Sequence, residues 1–335
     1  DANFDRAREG LRIIEEWCRF ALNNSALASE CKQMRQELGM WHTPEIRSAR
    51  DTSGDIGTAL SHPREEQRTG IEQLLQANLC RVQEALRVLE EYGKLYSLNL
   101  SSGCKQMRYR VYTLESNLLA YRRRQLLTNA KLYLVTSPSP DLLPRVEAAL
   151  QGGLTLVQYR DKQANDTDRL EIARQMCQLC HNYGALFILN DRVDLALAVD
   201  ADGVHLGQQD VSIALARQIL GSQRIVGKST TNPSEMAQAI KEGADYIGVG
   251  PVYETPTKAG KPAAGLEYVQ HAAKNATVPW FAIGGIDNTN IDDVLQAGAP
   301  AIAIVRAIMN SDTPTQAVQS CLAILNRVPQ LGSRG

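Results

Sequence analysis

No uninterrupted apolar stretch in these 335 residues reaches the ~18–20 that a membrane-spanning helix needs. The sequence begins at Asp1 without a basic region and apolar core behind it, so no targeting segment is visible and cytoplasm is the default expectation. A charge excess is also missing: 36 Lys and Arg stand against 37 Asp and Glu. That balance argues against a broad nucleic-acid surface and leaves any anion binding local. The seven cysteines are odd in number and spread over both halves, which is no disulfide framework; reduced thiols are expected. Cys177-Gln178-Leu179-Cys180-His181 has the spacing of a c-type haem attachment, yet no second CxxC pair accompanies it. Leu170, Ile172, Ala173 and Met176 share a helical stripe with both cysteines, so a buried core position is expected for them.

What is present is globular: 44% apolar and 22% charged residues, in a length that suits two domains or one barrel with an addition. The first part contains a duplication. Ala2-Asn3-Phe4-Asp5-Arg6-Ala7-Arg8-Glu9-Gly10-Leu11-Arg12 recurs as Ala77-Asn78-Leu79-Cys80-Arg81-Val82-Gln83-Glu84-Ala85-Leu86-Arg87, seventy-five positions later. Cys31-Lys32-Gln33-Met34-Arg35 recurs as Cys104-Lys105-Gln106-Met107-Arg108, seventy-three positions later. The repeated unit is therefore a helical pair with one small loop change. Phe4, Ala7, Leu11, Ile14 and Cys18 fall at steps of three and four, and Leu79, Val82, Leu86 and Leu89 repeat that phase. A pseudo-two-fold bundle of about four long helices is expected over 1–128. The second copy has a helical lead-in over 71–76 where the first starts at Asp1, so further residues are expected to precede Asp1.

After Tyr121-Arg122-Arg123-Arg124 the pattern changes to short β-branched runs alternating with helical segments, and the boundary is placed near Thr128. Strands are expected at 132–136, 154–160, 185–190, 203–206, 224–228, 245–250, 279–284 and 301–305. Eight strand–helix repeats over 129–335 predict an α/β fold, the closed parallel (β/α)8 TIM barrel, with an open doubly wound sheet as the alternative.

Such barrels carry their chemistry at the C-terminal strand ends. In Gln158-Tyr159-Arg160-Asp161-Lys162, the period of two puts Gln158, Arg160 and Lys162 on one side. A donor, a planar fork and a point charge suit a diphosphate, although a solvated strand end reads the same way. Strand three ends in Asn190-Asp191-Arg192, and Gly207-Gln208-Gln209-Asp210 follows strand four. Asp191 and Asp210, without a Cys/His cluster beside them, fit Mg²⁺ shared with phosphate oxygens. Asp210 also suits a helix N-cap before 211–220. Ser229 ends strand five; Thr255, Pro256, Thr257 and Lys258 lie in the long loop after strand six; Gly284-Gly285 ends strand seven, where backbone can approach a phosphate. The loop running on through Gly260-Lys261-Pro262 is expected to be a mobile lid. His205, inside a short apolar strand with no nucleophile pattern, is expected to support the site rather than to act as acid or base.

These blocks, taken in order with Leu132-Tyr133-Leu134-Val135-Thr136, Gly203-Val204-His205-Leu206 and Gly248-Val249-Gly250-Pro251-Val252-Tyr253, resemble thiamine-phosphate synthase throughout the barrel. The resemblance implies Mg²⁺-assisted loss of diphosphate from a hydroxymethylpyrimidine diphosphate and capture of its methylene carbon by the nitrogen of a thiazole phosphate. It implies that Gln158, Arg160, Lys162 and Asn190 bind the pyrimidine diphosphate, that Asp191 and Asp210 hold Mg²⁺, and that Ser229 sits beside the pyrimidine. Thr255, Thr257, Lys258 and Gly285 would receive the thiazole phosphate with the Val305-Arg306 backbone; the family often has Ser where Arg306 stands. Tyr159, Asp161 and Pro256 belong to the same binding blocks, and Arg160, Lys162, Ser229 and Lys258 are the expected catalytic set. The competing function is a phosphosugar isomerase or decarboxylase, which would need a carboxylate or Lys inside a strand. The partners implied are small molecules, with a homo-oligomer compatible.

The helical part resembles the domain sometimes fused to such synthases and associated with phosphorylating the pyrimidine monophosphate. Arg47-Ser48-Ala49-Arg50-Asp51-Thr52-Ser53-Gly54-Asp55-Ile56-Gly57 gathers cations, carboxylates, hydroxyls and glycines like a phosphate-handling loop, but no Walker-type loop is present. The alternative is a dimerisation or scaffolding bundle, in which Arg6–Glu9 and Glu9–Arg12 are solvated ion pairs.

Overall fold

The structure is a computed structural model that describes residues 1–51, 53–54, 70–255 and 262–327. The chain divides into two compact units, Asp1–Leu119 and a second beginning at Ala120.

The first unit contains α1 (Ala2–Phe20), α2 (Ser25–Trp41), a short α3 (Pro44–Ser48), α4 (Ile71–Gly93) and most of α5 (Leu98–Asn129). The expected stripe is the buried face of α1: Phe4, Ala7, Leu11, Ile14 and Cys18. Leu79, Val82, Leu86 and Leu89 are buried on α4 in the same phase. The duplication extends to the ion pairs. Arg35 donates to Glu15 at 2.5 Å, and the corresponding Arg108 donates to Glu90 at 2.9 Å. The surface pairs differ from expectation: Arg12 turns to Glu16 at 2.8 Å and Arg6 reaches Asn3 at 3.5 Å, so the Arg6–Glu9 and Glu9–Arg12 pairs do not form. A guanidinium on α1 finds its carboxylate four residues on, which is equally good helix geometry.

The expected boundary near Thr128 is where α5 ends, whereas the compact units divide nine residues earlier in the helix pattern, at Leu119 and Ala120. The last part of α5 belongs to the second unit by its contacts. Arg123 donates to Asp202 at 2.8 Å, Arg124 to the Ser222 carbonyl at 2.9 Å, and Leu127 packs with the barrel residues Tyr133, Leu156 and Ile225.

All eight expected strands are present: β1 (Leu132–Val135), β2 (Leu156–Tyr159), β3 (Leu186–Asn190), β4 (Gly203–Leu206), β5 (Ile225–Thr230), β6 (Tyr246–Val249), β7 (Trp280–Ile283) and β8 (Ile302–Ile304). They form a closed parallel barrel in chain order, β8 pairing back onto β1, so the open-sheet alternative is excluded. The strand period of two sorts the core. Tyr133, Val135, Leu156, Leu186, Ile188, Ile225, Tyr246, Phe281 and Ala303 fill the inside. Leu134, Val157, Tyr159, Phe187, Val204, Ile247 and Ile302 face the surrounding helices. Cys177 and Cys180 lie buried in that outer layer, on α7 (Asp166–Asn182), as core residues. His181 of the same motif instead meets the buried Asp202, Nε2 to Oδ2 at 3.0 Å.

Candidate active site

The ends of β2, β3 and β4 bring the expected polar residues together. Lys162 Nζ lies 3.2 Å from Asp191 Oδ2. Asp191 takes φ 62°, left-handed backbone that a non-glycine residue adopts only where the surroundings enforce it. Its N–H donates to the His205 carbonyl at 2.9 Å, which turns the carboxyl out of the strand. Burial first, and then the facing Asp210, push the Asp191 carboxyl above the ordinary range, while Lys162 works in the opposite direction. Two facing carboxylates with one cation beside Asp191 form an oxygen donor set short of positive charge, which fits a hard divalent ion. Asp210 Oδ2 also accepts from the Gly207 N–H at 2.6 Å. It is not the helix cap: α9 runs Ile213–Leu220 and Ser212 caps it, accepting from Leu215 N at 3.2 Å.

Gln158 points into the barrel and is 3% exposed. It opens a hydrogen-bonded chain across the interior. Its amide donates to the Tyr133 hydroxyl at 2.6 Å, Tyr133 and Tyr246 hydroxyls meet at 2.7 Å, Tyr246 meets His205 Nδ1 at 2.9 Å, and His205 Nε2 meets Ser229 Oγ at 2.8 Å. Burial holds both tyrosines above their ordinary pKa, so they act as neutral hydroxyls. Gly227 makes the space: a Cβ there would come within 2.2 Å of the Tyr246 ring. Gln208 adds a second hold on this strand end, donating to the Ser229 carbonyl at 2.6 Å.

On the other side of the mouth a cavity of about 320 Å³ is lined by Pro251, Thr255, Gly284, Gly285, Val305 and Arg306, among others. Gly285 takes φ 69°, and a Cβ on it would stand 2.7 Å from the Tyr253 Cβ, so a side chain here would both strain the backbone and displace the β6 loop. Asn290 braces the turn by donating to the Gly285 carbonyl at 2.9 Å.

Other expected residues are placed differently. The Tyr159 ring is buried in the layer between strands and helices, so only its backbone reaches the mouth. Asp161 Oδ1 accepts from Gln163 N at 2.9 Å and Ala164 N at 3.0 Å, and so shapes its loop. Asn190 ends β3, Arg160 follows β2, and Arg306 opens a short helix, α13 (Arg306–Met309). Pro256, Thr257, Lys258, Gly260 and Lys261 lie outside the described residues, as do Thr52, Asp55, Ile56 and Gly57. Tyr133 and Tyr246 were not legible in the sequence as site supports, nor was Thr136, which accepts from Arg160 N at 3.0 Å. Glycine at 227, opposite a strand-opening tyrosine, was the available signal.

A closed (β/α)8 barrel with facing carboxylates, cations and a glycine-lined cavity at its C-terminal strand ends has the build of a TIM-barrel enzyme. Residues 132–308 match the family model for thiamine monophosphate synthase, and residues 1–117 match that of the ThiD2 family. A thiamine-phosphate synthase of Nostoc punctiforme is 69% identical over 332 residues, covering 99% of this chain and 95% of that protein. One from Synechocystis is 64% identical over 328 residues, 98% of this chain and 96% of that protein. The solved thiamine phosphate pyrophosphorylase from Pyrococcus furiosus superposes with a TM-score of 0.56 at 37% identity, over 62% of this chain and all of that one. The chain belongs to the thiamine-phosphate synthase family. It is a transferase of thiamine biosynthesis that forms thiamine phosphate by condensation. The sugar-phosphate alternative is not favoured. No helix among the described residues is long and apolar enough to cross a membrane.

Proposed function

We propose that the β2–β4 side of the mouth holds hydroxymethylpyrimidine diphosphate and the β6–β8 side holds the thiazole phosphate. The observation that carries this reading is the cluster of Lys162 against Asp191, with Asp210 facing it, at one side of the mouth and the glycine-lined cavity at the other. The exocyclic C–O bond of the pyrimidine breaks, its electron pair leaves with diphosphate, and the thiazole nitrogen lone pair forms the new C–N bond. No proton need move at the carbon, so the demand is for charge neutralisation and position. Asp191 and Asp210 would hold Mg²⁺, which when bound neutralises diphosphate oxygens. Arg160 and Lys162 supply the remaining positive charge, and Gln158, Asn190 and Ser229 orient the pyrimidine. Thr255, Thr257, Lys258 and Gly285 receive the thiazole phosphate with the Val305–Arg306 backbone. Separate titrations test the division: Arg160→Ala should weaken the pyrimidine diphosphate, Lys258→Ala the thiazole phosphate, and a reversed pattern would overturn it.

For the helical unit, the ThiD2 match supports phosphorylation of the pyrimidine monophosphate, the step that makes the barrel's substrate. The full chain with ATP, Mg²⁺ and the monophosphate should then yield the diphosphate; no turnover would leave the scaffold reading. A reducing cytoplasmic setting agrees with seven cysteines that are all free thiols.

A further inference from the structure

The amino end of α1 and the carboxyl end of α2 bring Asp1, Asp5 and His42 together, with one ligand atom of each within 4.8 Å of the others. His42 is 3% exposed and Asp1 8%, so this is no solvated surface cluster. The ring is stacked on Phe4, with centroids 5.1 Å apart. His42 Nε2 lies 2.6 Å from Asp1 Oδ1. A carboxylate only accepts, so the ring proton is on Nε2, and in a neutral ring Nδ1 is left with its lone pair. That Nδ1 is buried and has no hydrogen-bond partner, whereas Asp1 Oδ2 is ion-paired with Arg50. Asp5 Oδ1 stands 3.7 Å from His42 Nδ1, a separation reached by two ligands of one ion after a small adjustment. Burial first, and then Arg47 and Arg8 against the opposing pull of Asp5, hold the imidazole below its ordinary pKa, which agrees with the neutral ring.

The duplication supplies an internal comparison. Gln76, Cys80 and Glu115 correspond to Asp1, Asp5 and His42 in the second copy. There the Gln76 amide donates to Glu115 at 3.0 Å and to Cys80 at 3.6 Å, and Gln83 donates to the other Glu115 oxygen at 2.8 Å. The second copy satisfies its polar atoms with neutral amides. The first has two carboxylates and an imidazole at these positions and leaves the buried His42 Nδ1 unsatisfied, an arrangement that costs stability unless something fills it.

The geometry points to a divalent transition-metal site in the helical unit, with His42 ligating through Nδ1 beside Asp5. Asp1 Oδ1 holds the distal ring N–H, the carboxylate–histidine–metal arrangement that fixes tautomer and ring orientation. Mixed imidazole and carboxylate donors suit Mn²⁺ or Zn²⁺ better than Mg²⁺ or Ca²⁺, which take oxygen. Arg50 lies against both outer carboxylate oxygens, reaching Asp5 Oδ2 at 2.5 Å, and would have to swing away. Its side chain is 47% exposed, so the guanidinium can swing out into solvent. Arg8 and Arg47 stay nearby and temper the affinity. This site is separate from the barrel residues Asp191 and Asp210, and it does not depend on the kinase reading.

The test uses the full chain carrying Asp191→Asn and Asp210→Asn, which removes the barrel carboxylates. Titration with Mn²⁺, followed by electron paramagnetic resonance, and with Zn²⁺ by calorimetry should find one ion per chain and a rise in Tm on loading. His42→Gln and Asp5→Asn should each weaken binding by about tenfold or more. Glu115→Gln, in the corresponding place of the second copy, should leave it unchanged. Because the first measurement needs no change in the helical unit, misfolding of a variant cannot hide the answer: absence of Mn²⁺ and Zn²⁺ binding there, or binding indifferent to both His42→Gln and Asp5→Asn, overturns the proposal.

Discussion

Glu15 and Glu90 hold the same place in the two helical copies: each is buried, and each accepts from the arginine that the duplication assigns to it, Arg35 at 2.5 Å and Arg108 at 2.9 Å. Removing one partner of a buried pair strands the other charge and costs about 3–5 kcal/mol, whereas an exposed pair contributes ~0–1 kcal/mol. Arg35 and Arg108 are only partly covered, and Glu90 keeps Arg87 at 3.1 Å while Glu15 keeps Arg12 and Arg19 at 3.8 Å, so neither carboxylate is fully stranded. Arg35→Ala and Arg108→Ala should each lose about 1–3 kcal/mol in denaturant unfolding of the helical unit, Arg35→Ala the more because its glutamate's remaining partners are farther away. No loss in either variant would mean that the flanking arginines suffice.

The chain from Gln158 to Ser229 runs through side chains that do not border the mouth, so it can be broken without touching substrate. Tyr246→Phe keeps the ring that meets Phe281 edge-on but leaves Tyr133 and His205 each short of a partner. The cost to stability should stay within about 1–3 kcal/mol. The kinetic consequence should be a several-fold fall in kcat/KM for the pyrimidine diphosphate, with KM for the thiazole phosphate unchanged. Wild-type kinetics for both substrates would show that the chain only fills the core.

His181 gives a pH dependence of definite sign. Its hydrogen bond to Asp202 first, and then that to Cys177, raise the imidazolium pKa from 6.5 to about 10. Below pH 6.5 both folded and unfolded chains carry the proton and the contribution is complete. It declines as pH rises from there, because only the folded state keeps the proton, and is gone above about pH 10. The Tm difference between wild type and His181→Gln should therefore be largest at pH 6 and close towards pH 10. A difference that widens with pH would contradict the assignment.

The barrel was legible because its strands are short apolar runs between helical segments, and the period of two separated Gln158 from Tyr159, although Tyr159 was still expected in the binding block. The ends were less legible. β5 continues through Ser229 to Thr230, since Thr230 Oγ1 donates to the Gly248 carbonyl and is held by Tyr268, and both partners are distant in sequence. Tyr133 and Tyr246 read as ordinary core aromatics; their meeting depends on register across the closed barrel, which no local pattern encodes. Asp210 looked like a cap because a helix follows it, yet Ser212 sits at the actual first turn. The duplication showed that Arg35 and Arg108 hold corresponding places, but neither their pairing with Glu15 and Glu90 nor the divergence of His42 and Glu115 in partners was legible.

The most direct test of the barrel's role is product formation by the purified chain given hydroxymethylpyrimidine diphosphate, thiazole phosphate and Mg²⁺, with thiamine phosphate and released diphosphate both measured. The two products should appear in equal amounts. Asp191→Ala and Asp210→Ala should each lower kcat by about 10²–10³, the scale of removing one transition-state charge stabiliser. Product formation that continues at the wild-type rate in either variant at limiting Mg²⁺ would remove that carboxylate from the site, and absence of thiamine phosphate with the wild-type chain would contradict the account altogether.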